Sequence, residues 1–310
     1  MPRRELERIE GLRLRTDLPI WPYTTFKIGG TAGLWVEPYS VEALERGLRV
    51  LESRLPSYRV LGCGSNLLVD DAGIPAVLCL SGLCRIEMDE THLTVGAGTA
   101  FWRLMKFCME QGIGGLEPLC GIPASVGGAC FMNAGANGVQ FLDLVDSILL
   151  TTSQGSQWFS PEQLQAGYRD GGIPDGAVVS ACRLAIGRTN GKRRQGLFRL
   201  SPRQVRSRIR LFMKKRVATQ PITMPSAGCI FRNPDGDSAG RLLDLSGLKG
   251  RRIGQAAISE KHANFIVNQG GAGFGDVLEL MELAASEVER LFGVRLRPEV
   301  TIWRREQDQR

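Results

Sequence analysis

The stretch GLEPLCGIPASVGGACFMNAGANG, Gly115 to Gly138, constrains this chain more than any other. Six glycines, four alanines and one serine lie within its 24 residues, and Glu117 is its only charge. A core strand or helix would not dilute its side chains this far, because glycine there costs chain entropy and packs nothing. Glycine is useful where a backbone turns at positive φ, or where main-chain N–H groups must lie against a bulky ligand. The stretch reads either as tight turns in a glycine-rich β domain or as a cradle for a polyanion. Such a cradle is a nest of N–H groups or the N-terminus of a helix.

At 310 residues the chain exceeds one average domain, so two or three lobes are expected. A net charge of +7 suits nucleic acid, or equally an anionic small substrate or cofactor. No apolar run approaches the ~20 residues that span a bilayer. The N-terminal MPRRELERIEGLRLR lacks an apolar signal core and reads as a short charged helix, so a cytoplasmic location is expected. The eight cysteines form no CxxC pair and read as small core residues kept reduced. With His92 and His262 as the only histidines, no metal site is expected.

Ser40 reads as the cap of a helix to about Leu55, with Leu44, Leu48 and Leu51 on one face. A hairpin is expected around Asp89, Glu90 and Thr91, then a helix capped by Thr99 that points Phe101, Leu104, Met105 and Cys108 inward. Strands at 144–151 and 177–186 flank a polar segment. Many short strands with few helices indicate an α+β lobe rather than βαβ alternation. A basic belt follows (Arg188, Lys192, Arg193, Arg194, Arg199, Arg203, Arg206, Arg208, Arg210, Lys214, Lys215, Arg216), read as a solvated helix from about Pro202. A further lobe ends in an amphipathic helix from Gly275 to Phe292, with Val277, Leu280, Met281, Ala284, Val288 and Leu291 at helical spacing on its apolar face.

GxGxxG is never completed, GxxxxGK[ST] and HExxH are absent, and two histidines leave little room for a Ser/His triad. What remains is a second cradle, VLGCGSNLLVDD from Val60 to Asp71. Gly62 and Gly64 open its N–H groups, and Ser65 and Asn66 add hydrogen-bonding side chains suited to phosphate or ribose. Two such loops on one lobe suggest a long, diphosphate-containing ligand.

YTTFKIGG, GCGSNLLVDD, GIPASVGGACFMNAGANG, Tyr168-Arg169, PSAGCIFRNP, ISEKHANFIVN and RPEV occur in this order from about Thr16 to Trp303. The set resembles the UDP-N-acetylenolpyruvoylglucosamine reductase family, in the shorter subtype without a substrate-capping tyrosine loop. The resemblance implies an α+β fold: a two-part FAD-binding region of the vanillyl-alcohol-oxidase type plus a separate α+β substrate-binding domain. The parts are expected at 1–56 (rejoined by 298–310), 57–199 and 200–297 respectively. It also implies NADPH as hydride donor, and a UDP-linked enolpyruvyl amino sugar as substrate. A monomer with neither nucleic acid nor membrane as partner is expected.

For the cofactor the resemblance implies Gly62, Gly64, Ser65, Asn66 and Leu67 in the first loop. In the second it implies Gly121, Ile122, Pro123, Ser125, Val126, Gly127 and Gly128, followed by Asn133, Ala134 and Gly135. FAD N5 would deliver hydride to the terminal alkene carbon, pushing electrons toward the substrate carboxylate. Arg169 would clamp that carboxylate and offset its growing charge. Glu299 would sit near it, protonated or sharing a proton. Where the family usually has serine as proton donor, this chain has Cys229. A thiol, with an unperturbed pKa of about 8.5, is a stronger acid than an alcohol; the alternative is a packing cysteine with water or another group as donor. Tyr168, Gln220, Ser226, Arg232, Asn233, Lys261 and His262 are expected near the substrate, with Arg216 steering the dianion and Asn264 lining the cleft.

Two competing readings stand beside this one. Another FAD-dependent oxidase or dehydrogenase could use the same fold. A basic RNA-binding module is the other, but the belt interleaves only Phe198 and Phe212 as stacking aromatics.

Overall fold

The structure, a computed structural model, describes residues 2–55, 57–187 and 196–305. The chain forms two compact units and passes between them five times. One holds Met1–Arg15, Leu34–Cys63 and Ala76–Lys215; the other holds Thr16–Gly33, Gly64–Pro75 and Arg216–Arg310.

The first unit is built on a five-stranded antiparallel sheet in the order Gly155–Phe159, Val145–Thr152, Val178–Ala185, His92–Gly96, Ile86–Met88. Val178–Ala185, rich in small and β-branched residues, sits at its centre and is buried along nearly its whole length. The Asp89 hairpin forms as the sequence predicts, with Met88 opposite Leu93. Helix Val41–Arg54 starts at Ser40, whose Oγ accepts the Ala43 N–H at 3.1 Å, and buries Leu44, Leu48 and Leu51.

Helix Phe101–Glu110 buries the four residues its spacing predicts, but Thr99 does not cap it. The Thr99 N–H donates to Gly96 O and its carbonyl accepts from the Val126 N–H. Those bonds hold it one residue short of the cap, which Ala100 occupies, and its buried hydroxyl has no partner among the described residues. The polar segment after Thr152 also departs from expectation. It folds back as the strand Gly155–Phe159, where the Trp158 ring packs 4.2 Å from the Arg183 guanidinium.

The basic belt falls mainly on helix Pro202–Thr219, which buries only Val205 and exposes Arg203, Arg206, Arg210 and Lys214. Arg199 lies on the short strand Phe198–Arg199. Arg188, Lys192, Arg193 and Arg194 lie outside the described residues.

The second unit has a four-stranded antiparallel sheet, ordered Ser226–Cys229, Phe265–Asn268, Ala256–Ile258, Arg252–Ile253. Helix Phe274–Phe292 packs its apolar stripe of Val277, Leu280, Met281, Ala284 and Val288 into the core with Ile258 and Ile266. Thr16–Gly33 and Gly64–Pro75, which the sequence places in the two flavin-binding parts, cluster with this unit. Phe26, Ile28 and Leu68 are buried in its core, and Leu67–Val69 pairs in parallel with Thr301–Trp303. Among the described residues no helix is long and apolar enough to cross a membrane.

Because Leu280 is fully buried while Leu291 on the same helix is 44% exposed, their truncations should separate cleanly. Leu280→Ala is expected to lose about 2–5 kcal/mol of unfolding free energy in urea, and Leu291→Ala less than about 0.5 kcal/mol.

Candidate active site

In the first unit the glycine stretch is not all turns: Val126–Phe131 is a short helix capped by Ser125, whose Oγ accepts the Gly128 N–H at 3.2 Å. A Cβ on Gly62 would stand 2.2 Å from that oxygen, so only glycine lets the end of strand Arg59–Leu61 approach this closely. The two expected loops therefore meet. At Gly128 an added Cβ would touch nothing but Ser125 Oγ, at 3.2 Å, so bare main chain faces open space. Gly121 is exposed at a φ of 77°, with Pro123 exposed and Ile122 half-buried beside it. A strip of main chain with this little side chain over it fits a nucleotide laid against the backbone.

Other expected cofactor residues are committed inside the fold. The N–H groups of Val126 and Gly127 donate to Thr99 O and Ala97 O. Asn133, buried with a φ of 40°, donates through Nδ2 to Gln140 Oε1 and Gly167 O, and its Oδ1 accepts from Leu142 N–H. Its side chain pins the loop, and the Ala134 main chain is bonded inside it too: its N–H donates to Ala129 O and its carbonyl accepts from the Phe141 N–H, with Ala134 and Gly135 both half-buried. Gly135 O accepts from Arg169 Nη1 at 3.3 Å. Arg169 is half-buried with a left-handed backbone, φ 56°, and its guanidinium lies 5.3 Å from the exposed Tyr168 ring. Two thiols near the cradle are kept protonated: burial, then the neighbouring Cys79, pushes Cys63 up to about 11, and burial, then a hydrogen bond with Cys182, pushes Cys130 well up.

The second unit brings the main chain next to Cys229 alongside that of Glu299. Cys229 ends strand Ser226–Cys229, opposite Phe265. The next residue, Ile230, accepts the Glu299 N–H at 2.7 Å; Phe231 bridges Pro298, and Arg232 N–H donates to Arg297 O. PSAGCIFRNP and RPEV thus run side by side, with Cys229 and Glu299 both half-buried. Asn66 joins them, its Nδ2 donating to Glu299 O at 3.0 Å and its carbonyl accepting from Thr301 N–H, while Ser65 and Leu67 are half-buried around it. Gly64, at φ 59°, could not carry a side chain, because a Cβ would lie 2.3 Å from Tyr23 O.

The expected substrate residues of this unit divide. Gln220 has a buried Oε1 without a partner among the described residues, an acceptor left for a bound donor. Ser226 and Arg232 are half-buried. The exposed Asn233 spends its Oδ1 on the Ala239 N–H, at the start of helix Ala239–Leu245. Lys261 Nζ donates to Val217 O at 3.0 Å. His262 packs edge-on against Phe265, and its Nδ1 accepts the Asn264 N–H. Asn264 does not line a cleft: it is buried, and its side chain bonds both the N–H and the carbonyl of Phe231.

Two positioning residues escaped the sequence reading. Thr25 donates its N–H to Gly64 O and its hydroxyl to Ser226 O, at 3.0 and 2.7 Å, tying YTTFKIGG to both motifs. Asn268 donates to Phe26 O and accepts from the Gly270 and Ala272 N–H groups. The available signal was a polar residue inside the apolar run ANFIVN, which must be bonded if buried.

Residues 220–303 match the UDP-N-acetylenolpyruvoylglucosamine reductase C-terminal domain, and residues 32–159 match the FAD binding domain family. The chain is 40% identical over 296 residues to UDP-N-acetylenolpyruvoylglucosamine reductase 2 of Symbiobacterium thermophilum, covering 94% of this chain and 92% of that one. It is 38% identical over 283 residues to the Thermotoga maritima reductase, covering 91% and 95%. The crystal structure of the Thermus caldophilus reductase superposes with a TM-score of 0.79 at 36% identity, over 94% of this chain and all of that one. The fold is therefore α+β, an FAD-binding region with a separate C-terminal domain.

Burial, then the neighbouring Lys249, holds the folded pKa of His262 below its usual value. The unfolded chain then binds the proton more readily. The stability this confers is complete above about pH 6.5, is lost as pH falls below that value, and levels off beneath the lowered folded pKa. His262→Gln should flatten the acid-side loss in urea unfolding measured between about pH 7.5 and 5.5; an unchanged slope would assign the loss to other groups.

Proposed function

The chain belongs to the UDP-N-acetylenolpyruvoylglucosamine reductase family of FAD enzymes in peptidoglycan synthesis, and from that premise we propose how its residues serve the reaction. The substrate is the enolpyruvyl ether of UDP-N-acetylglucosamine, the product is UDP-N-acetylmuramate, and NADPH is the electron source. Bound FAD supplies hydride to the terminal alkene carbon of the substrate. The proposed setting is the cytoplasm, with the chain acting as a monomer. Residues 1–56 with 298–310, and 57–199, are assigned to the flavin, and 200–297 to the sugar nucleotide.

The main-chain strip at Gly121–Gly128, with Gly62 against Ser125 and the half-buried Ala134 and Gly135 nearby in sequence, is assigned to FAD in the first unit. Gly64, Ser65, Asn66 and Leu67 are likewise assigned to FAD. Arg169 is assigned the substrate carboxylate. Its guanidinium pairs with the negative charge that grows there as the alkene is reduced, so it binds the transition state better than the ground state. Tyr168 and Gly135 O hold its fork in place. Gln220, Ser226, Arg232, Asn233, Lys261 and His262 are assigned to the sugar nucleotide, with Arg216 steering its charge. For Asn233, Lys261 and His262 the assignment rests on atoms not spent on the bonds described above.

The observation that supports the acid step is the hydrogen bond from the Glu299 N–H to Ile230 O, which sets the segments carrying Cys229 and Glu299 side by side. Cys229 Sγ–H gives its proton to the ether-bearing carbon, and the thiolate left behind is reprotonated from solvent. Glu299, protonated or sharing a proton, lies beside the carboxylate without repelling it.

Cys229→Ala should leave flavin reduction by NADPH within about twofold of the parent and slow reoxidation by the enolpyruvyl sugar about 10²–10⁴-fold. Cys229→Ser should keep substantial turnover. Stopped-flow absorbance of the flavin reads both half-reactions. An alanine variant reoxidised at the parent rate would remove the thiol from the mechanism.

A further inference from the structure

Glu117 is the only carboxyl, amine, guanidinium or imidazole side chain that is buried among the described residues, at 0% exposure, and the reaction does not use it. It stands inside the glycine stretch, on the 3-10 turn Glu117–Leu119 that leads directly to Gly121. A buried carboxylate is costly unless paired and hydrogen-bonded. Here Oε2 accepts the Gly115 N–H at 2.6 Å, and Arg208 Nε approaches Oε1 at 3.2 Å from helix Pro202–Thr219. That approach is an ion contact without hydrogen-bond alignment, and Oε1 has no hydrogen-bond partner among the described residues. A neutral or apolar side chain of similar size would pack here at less cost. Stability alone therefore does not account for a carboxylate at this position.

What the carboxylate does is hold a loop. It closes the turn on its own Gly115 N–H and fastens it to Arg208. One residue further along that helix, Ile209 O accepts from Cys120 Sγ at 3.7 Å, while Pro118 O accepts from Asn137 Nδ2 at 2.7 Å. The main chain entering Gly121 is thus clamped on both sides, immediately before the strip assigned to FAD. Affinity for a ligand bound by main chain depends on that chain already having the bound conformation. We propose that Glu117 is a positioning residue for the flavin nucleotide, holding the turn at residues 115–121 in its binding conformation with Arg208 as its counter-charge. This rests on the assignment of the Gly121–Gly128 strip to FAD.

The test is a fluorescence titration of flavin-stripped protein with FAD, alongside urea unfolding of the same apo-protein. Glu117→Gln keeps the size and the Gly115 acceptor but drops the charge, and should weaken FAD binding about tenfold or more. Arg208→Gln, at a side chain that is 45% exposed, should weaken it about three- to tenfold with an unchanged apo unfolding midpoint. The double variant should fall close to Glu117→Gln alone, because the two residues act as one contact. If Glu117→Gln does not fold, Arg208→Gln decides. Gly128→Val checks the underlying assignment, because its side chain fills the open strip and should abolish binding. Parent-like FAD binding by Glu117→Gln and Arg208→Gln, with binding lost in Gly128→Val, overturns the positioning role alone. Additive effects in the double variant overturn the role of the pair. Parent-like binding by Gly128→Val overturns the cradle itself.

Discussion

Main chain meets main chain closely around the candidate site only because glycine lacks a Cβ. At Gly62 the clearance is decisive: the missing atom would overlap the hydroxyl oxygen that caps helix Val126–Phe131. If that oxygen moved, the Gly128 N–H would lose its acceptor, and the strip of bare backbone after Ser125 would lose its anchor. Glycine at Gly128 serves differently, by leaving space where a side chain would stand. The same residue type thus packs one part of the site and opens another. The local surroundings of each decide which.

In the second unit the organising device is the buried asparagine. Asn264 holds Phe231 by both main-chain groups, and Asn268 holds the Phe26 carbonyl and two successive N–H groups after its own strand. Each spends both ends of its side-chain amide on main-chain groups, which is how a buried amide is satisfied. Through these pins, and through Thr25, motifs from four parts of the chain become one framework around Cys229 and Glu299. Cys229 therefore sits on main chain fixed by these bonds, as its proposed role as proton donor requires.

Much of this was legible in advance because it is local. Ser40 before an apolar period of 3.6 marked a helix start, and Val277, Leu280, Met281, Ala284, Val288 and Leu291 marked the face of another, on which all but the exposed Leu291 are buried. Thr99 misled because a cap is defined by the backbone as well as by residue type, and its backbone was already bonded to Gly96 and Val126. The strand Gly155–Phe159 was hidden because its stability comes from pairing with Val145–Thr152 and from Arg183 on the Trp158 ring, neither visible in GSQWF. Asn133 and Asn233 have the donors and acceptors of ligand-binding residues. Which of those atoms face inward is set by neighbours distant in sequence.

Order and spacing of the motifs were enough to identify the family, the α+β class and the flavin cofactor, since each motif is a short chemical pattern that needs no partner to be read. The grouping of Thr16–Gly33 and Gly64–Pro75 with the C-terminal segment was decided only in three dimensions. So were the apposition of Ile230 and Glu299 and the burial of the Glu117 carboxylate. The reason is common to all three: burial and strand pairing join residues far apart along the chain, and local composition carries no record of which distant segment will supply the partner.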